Sequence, residues 1–387
     1  MTTFCTETWE LRKFLDIVTR INNMSNSNNL PKLEYEDINS GYGTLNKDIS
    51  KKFDNRKGIL FEKNNILFGK LRPYLKKWYL SNFKGIALGD FWVLKTKGTN
   101  VNFVYYLIQS SSYQKVANNT SGTKMPRSDW KSVSQSPFYI PSIPEQSRVG
   151  NILKDVDLSI TLQQRQLDLY KKLKKGLLQK LFPKNGKRVP EVRFVNFSED
   201  WEEYKLSDLS TVSTGKAFSS SDFNENGKYL VITNKNISND SKSNSFKTDR
   251  IDISDTKTIQ KYNLDGKNIL VTMDGVNLGK TGLFSNKNAV LAQRVGRIQS
   301  NQFEFVYQIT SSNRFLSEMR KLSVGNAIKH ISLKQISNYI NLVPKSVMEQ
   351  RYIGILLKNI DDTSITQNKK IKELKTLKKY LLQKLFI

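Results

Sequence analysis

Between residues 145 and 182 the chain carries a stripe at alternating spacings of three and four: Leu153, Val156, Ile160, Gln163, Leu167, Tyr170, Lys174, Leu177 and Leu181. Between residues 349 and 387 the pattern returns at Leu357, Ile360, Ser364, Gln367, Ile371, Leu374, Lys378, Leu381 and Leu385. Sustained three-four spacing is the seam of a coiled coil. At 1.5 Å per residue, such a segment spans roughly 57 Å, longer than most globular helices. A helix docked only on its own domain would show the same stripe, but two matching seams in one chain offer each other a partner. Gln163 and Gln367 lie at the middle of their segments. In an antiparallel pair they are expected to meet at the crossing and fix the register by hydrogen bonding.

The two segments are copies of one another. Glu145–Phe182 and Glu349–Phe386 align without a gap at an offset of 349 − 145 = 204, from the shared Glu-Gln start to the shared Leu-Leu-Gln-Lys-Leu-Phe end. Weaker matches extend outward: Trp9-Glu10 with Trp201-Glu202, Phe103-Val104-Tyr105 with Phe305-Val306-Tyr307, Ile140-Pro141 with Val343-Pro344. A duplication of this kind organises the chain. It divides into a variable region (1–144), a helix (145–182), a turn-rich charged linker (183–200), a second variable region (201–348) and a second helix (349–387).

The variable regions mix both kinds of element. Gly58–Leu67, Ile86–Leu94 and Asn268–Met273 read as strands, while Phe103–Val116 and Phe303–Leu322 read as helices. The predicted class is α+β. Polar tracts 22–29 and 238–247 read as loops.

Charge narrows the partners. The chain of 387 residues has 62 Lys+Arg against 35 Asp+Glu, a net +27. The two helices account for (8 − 4) + (9 − 4) = +9, leaving 27 − 9 = +18 on the variable regions and linker. A lysine-rich solubilising surface is the plain explanation, but nucleic acid is the favoured one, because each Lys or Arg on a phosphate releases counterions. Dispersed lysines without an amphipathic aromatic edge argue against a membrane surface. The N-terminus lacks a basic region followed by an apolar core, and no apolar run approaches the roughly 20 residues of a membrane span, so a cytoplasmic location is expected. One cysteine, Cys5, excludes an internal disulfide, and one histidine, His330, makes Ser-His or zinc chemistry improbable.

Several loops combine glycine with basic and amide side chains. Candidate DNA contacts are Lys70, Arg72, Thr123, Lys124 and Arg127 in the first region, and Lys216, Lys280, Arg294, Arg297, Asn326 and Lys329 in the second. Each loop alone could be an ordinary basic turn; their recurrence, with Gly122 aligned on Gly325 ahead of the helical repeat, strengthens the case. Gly275–Thr281 imitates a phosphate-binding loop but has three residues between its glycines where the motif has four. No catalytic constellation and no metal-ligating set emerges.

Two variable regions, each followed by a repeated helix ending Leu-Leu-Gln-Lys-Leu-Phe, resemble the specificity subunit of type I restriction-modification systems along essentially the whole chain. The segments that carry the resemblance are Pro141–Gln146 and Pro344–Gln350 at the helix entries and Lys174–Phe182 and Lys378–Phe386 at their exits. A departure is Val189–Asp200, an introductory stretch that the first copy largely lacks. The resemblance implies a non-catalytic reader of double-stranded DNA, with one target recognition domain per half-site and the helices as an antiparallel spacer with pseudo-twofold symmetry. It implies two methyltransferase subunits that bring S-adenosylmethionine, and restriction subunits that use ATP and Mg; none of these cofactors would bind this chain. The alternatives are a stand-alone coiled-coil DNA-binding or interaction protein without such partners, and a self-contained DNA-processing enzyme, for which no residues are visible.

Overall fold

The computed structural model describes residues 9–120, 124–184, 186–237, 248–325 and 329–386. It has the α+β character expected, with two long helices, Ile143–Leu181 and Val347–Leu385. The described chain forms two compact units. The first holds residues up to Gln166 together with those from Gln367 onward, and the second holds Leu167–Thr366, so the division falls inside both long helices.

In the first unit, strands Val18–Ile21, Phe91–Thr96, Ile66–Gly69 and Trp78–Leu80 make an antiparallel sheet in that order. A second sheet runs Met24–Ser25, Gly58–Phe61, Gly85–Ala87, Lys32–Leu33, with only the last pair parallel. The expected strand 58–67 is therefore two strands in different sheets. The reason is local: Asn64 takes a φ of +67° and the Asn65 side chain accepts from the Glu62 amide, which turns the chain between them. Gly89, at a φ of +87°, splits the expected strand 86–94 in the same way.

The second unit has one six-stranded sheet, ordered Thr211–Thr214, Val295–Gln299, Asn263–Thr272, Thr281–Leu291, Tyr229–Ile232, Arg250–Ile251, with only the fourth and fifth strands parallel. In each unit a short ribbon joins the start of the variable region to the strand before the long helix: Glu10–Lys13 with Pro137–Ile140, and Glu202–Lys205 with Ile340–Val343. The helices expected at 103–116 and 303–322 are each broken once. Ser110 and Ser312 sit at the breaks and cap the second piece, accepting from the amides of Tyr113 and Phe315.

All eighteen stripe positions of the two long helices are buried or half-buried, so the seam is real. Each unit contains an antiparallel pair built from the first part of its own helix and the last part of the other copy's. Asp157 pairs with Lys378 at 2.8 Å in the first unit, and Lys174 with Asp361 at 2.6 Å in the second. These are the same pair, since 361 − 157 = 204 and 378 − 174 = 204. Each aspartate also takes a hydrogen bond from the variable region, from the Tyr106 hydroxyl and the Gln308 amide respectively. The shared exit motif is explained by the same exchange. Phe386 lies 5.2 Å from Phe103, and Phe182 lies 5.9 Å from Phe305, ring centre to ring centre.

The glutamines depart from expectation. Gln367 donates to Gln166 at 3.4 Å, and the Oε1 atoms of Gln163 and Gln367 are both buried without a partner, so these two amides do not bond to each other. Gln166 lies about one turn along the helix and offers its oxygen from the exposed edge of the seam.

The helix entries are clamped by buried glutamines. Gln146 and Gln350 donate to the carbonyls of Pro141 and Pro344 at 2.8 and 2.9 Å. Beside them, Glu145 accepts from the Trp9 indole, whereas Glu349 receives both arms of Arg193 at 2.7 and 2.8 Å. Arg193 comes from the introductory stretch Val189–Asp200, which the first copy largely lacks. It replaces a Trp9-type contact, and the buried Trp201 indole nitrogen is left without a hydrogen-bond partner.

Candidate nucleic-acid interface

The basic loops singled out above are held by one backbone arrangement, present in both units. In the first, the chain leaves strand Ile66–Gly69 and the Lys70 amide bonds the Asp90 carbonyl at 2.9 Å, while Ser128 N reaches Lys70 O at 2.9 Å. Leu71 and Arg127 form an isolated bridge, and the Arg72 amide bonds Pro126 O at 2.7 Å. In the second, Met273 N bonds Arg294 O at 3.1 Å, Ile331 N bonds Met273 O at 2.9 Å, Asp274 bridges His330, and Gly275 N bonds Lys329 O at 3.3 Å. The correspondence is residue for residue: 273 − 70, 275 − 72 and 330 − 127 all equal 203. Three loops thus converge at one end of each central sheet, a surface of loops on a rigid scaffold.

The arrangement explains a backbone oddity. Arg72 adopts a φ of +47°, and its counterpart Gly275 a φ of +71°. A conformation suited to glycine is imposed on an arginine in the first unit, at a cost of about 1–2 kcal/mol. Arg294, with a φ of +66°, is a second such arginine.

Lys70, Arg72 and Arg127 are brought together in the first unit, with Lys124 exposed on the same loop as Arg127. Lys280, Arg294 and Lys329 are brought together in the second. The Lys216 backbone joins this edge through Gln293, but its side chain turns to the Thr258 hydroxyl at 3.3 Å. Gly215 beside it has no room for a side chain, since a Cβ would meet the Leu291 carbonyl oxygen at 2.1 Å; that glycine serves strand crossing. Thr123 and Asn326 lie outside the described residues. Arg297 is a correction: it is buried, donates to Asn268 Oδ1 at 2.7 Å, and is held below the usual arginine range by burial, so it is a core residue closed to a ligand.

Sequence reasoning passed over the acids that hold these arginines. Asp90 receives Nε and Nη2 of Arg127 at 3.3 and 3.1 Å, with Lys70 at 3.6 Å. Burial alone would raise the Asp90 carboxyl, but Arg127 and then Lys70 bring it below the usual carboxylate range. Asp274, buried, accepts from Arg294 Nη1 at 3.1 Å and from the Asn234 amide at 2.5 Å. No local pattern marks these aspartates, because their partners are 37 and 20 residues away. Val276, 98% exposed at the tip of the 273–280 loop, has no packing role.

Among the described residues, no three His, Cys, Asp or Glu side chains are grouped to hold a metal ion, and no helix is long and apolar enough to cross a membrane. The first unit also has a groove of about 2190 Å³ beside its helix pair, lined by Lys115, Lys154, Arg165 and Lys379. Two further cations there are already committed, Lys375 to the Tyr42 hydroxyl and Lys378 to Asp157 and Gln109.

Known proteins share the overall architecture. The family model for the type I restriction modification DNA specificity domain matches twice, over residues 6–170 and 198–376. The type I restriction enzyme MjaVIII specificity subunit of Methanocaldococcus jannaschii is 26% identical over 366 residues, covering 87% of this chain and 82% of that protein. Among solved structures, a type I restriction-modification S subunit from M. genitalium superposes with a TM-score of 0.65 at 15% identity, covering 100% of this chain and 98% of that one. A chain from a structure addressing assembly and conformational transition of the type I R-M system gives 0.51 at 17% identity, covering 97% and 96%.

Proposed function

Because the chain belongs to the type I restriction-modification DNA specificity family, we propose that it is the non-catalytic subunit that reads a split DNA target, one half-site per variable region. In this reading residues 1–144 and 201–348 are the recognition domains, 183–200 is the linker, and 145–182 and 349–387 are spacer helices that set the distance between the half-sites. The observation that supports it is the recurrence of one three-loop arrangement, carrying exposed Lys and Arg, in both units. Two short half-sites on a duplex are read together only when the readers' separation matches the groove phase. Two methyltransferase subunits carrying S-adenosylmethionine, and restriction subunits using ATP and Mg, would assemble on it in the cytoplasm.

The test is reconstitution with the modification subunits on duplexes whose non-specific spacer is varied. Protection at one spacer length, lost when one base pair is inserted, is the expected outcome. Equal protection at every length would overturn the proposal, as would cutting or methylation by the pure chain alone.

A further inference from the structure

An arginine pinned by an aspartate at each three-loop convergence is the feature that asks for more than charge. The pairing is inverted between the copies. Asp90 and Arg294 occupy the same place, each giving its carbonyl to the first residue of the adjoining loop, and 294 − 90 = 204. In the first unit the acid sits there and takes Arg127 from the neighbouring loop; in the second the arginine sits there and its acid, Asp274, comes from the loop opposite.

The pair in the second unit goes beyond an ordinary surface contact, which would need neither the burial of its acid nor a strained backbone. Asp274 is 6% exposed and is anchored from behind by Asn234, while Arg294 is 65% exposed in its side chain and adopts a φ of +66°. Backbone strain of this kind is found at functional positions. What the pair does is orient. Asp90 occupies the Nε and Nη2 edge of Arg127 and leaves the Nη1 and Nη2 edge unused by it; Asp274 occupies Nη1 of Arg294 and leaves the Nε and Nη2 edge. Either remaining edge is a fork of two parallel donors, and its complement in the major groove is guanine O6 with N7.

We infer that Arg127 and Arg294 are guanine-reading residues, one in each recognition domain, with Asp90 and Asp274 as the positioning residues that set their forks. This rests on the split-target reading above and names the base and the atoms that read it. Lysine in the same place would keep the charge and lose the fork.

The test is selection from a library of duplexes with randomised half-sites, using the chain assembled with its modification subunits. Wild-type protein is compared with Arg294→Lys, Arg294→Gly, Asp274→Asn and Arg127→Lys. The glycine variant accepts a positive φ, so it separates loss of the side chain from backbone strain. Each arginine variant should lose roughly 5- to 150-fold of its preference for guanine at one base pair of one half-site, with the other positions unchanged. Asp274→Asn should erode preference at the same base pair as Arg294→Lys. A merely structural role would instead weaken every position together, and that result overturns the inference. An unchanged consensus, or a wild-type consensus with no guanine in a half-site, overturns it as well. If wild-type protein selects no discontinuous motif at all, the split-target reading is what has failed.

Discussion

A methyl group added at Gly354 would lie 2.6 Å from the Phe305 amide nitrogen, and one at Gly150 would lie 2.8 Å from the equivalent Phe103 nitrogen. These helix glycines let the start of a variable-region helix approach the long helix directly. Alanine elsewhere in a helix gains up to about 1 kcal/mol over glycine, but here a backbone atom must move, and such overpacking costs about 1–3 kcal/mol. Gly354→Ala should therefore lower the thermal midpoint. Gly176→Ala, on the same kind of helix with nothing within 4 Å, should raise it. Calorimetry on the two variants would separate the cases, and equal shifts would show that the close approach does not matter. Arg72→Gly should likewise leave the fold intact or stabilise it, by releasing its positive φ, while weakening DNA binding. Neither effect can be read from one copy of the sequence. The glycine pair is visible in the alignment, but only the structure supplies the atoms that a side chain would strike.

At the scale of elements, the seam was legible because its period is a property of the chain alone, whereas its polar contacts depend on how far one helix slides along the other. That is why all the stripe positions are covered but Gln367 finds Gln166 rather than Gln163. With its Oε1 buried and unpartnered, Gln163→Leu should stabilise the pair by about 1 kcal/mol, measured by denaturant midpoint. The exchange of helix ends makes a less intuitive prediction. Phe386, 3% exposed, belongs to the core around Phe103, Tyr113 and Phe138, which lie 283, 273 and 248 positions earlier in the chain. Phe386→Ala should cost about 3–5 kcal/mol and expose amides of residues 101–117, rather than those of residues 303–322, to hydrogen exchange. Any domain substituted for residues 1–144 must supply a matching apolar seat for Leu381, Leu385 and Phe386. The strands and helices that were read too long, 58–67, 86–94, 103–116 and 303–322, share one cause. Single residues, Asn64, Gly89, Ser110 and Ser312, turn the chain inside stretches whose composition is continuous.

Over the whole molecule the surplus of +27 charges predicts affinity governed by phosphates. Binding of the assembled protein to its target should weaken by about 10³–10⁵ between 50 and 200 mM salt if six to ten phosphates are engaged; a shallow salt slope would assign the charge to solubility alone. Duplication, α+β class, helical seam and basic loops were all determined by the sequence, because periodicity, repetition and charge are written in local order and survive any packing. Which cations face solvent was decided by the tertiary structure. Arg297 and Arg294 stand three residues apart on one strand and its approach, yet one is sealed in the core by Asn268 and the other is held outward by Asp274. The acids that set the arginines are likewise a tertiary matter, since a carboxylate 20 or 37 positions away becomes a neighbour only when three loops close at the end of a sheet.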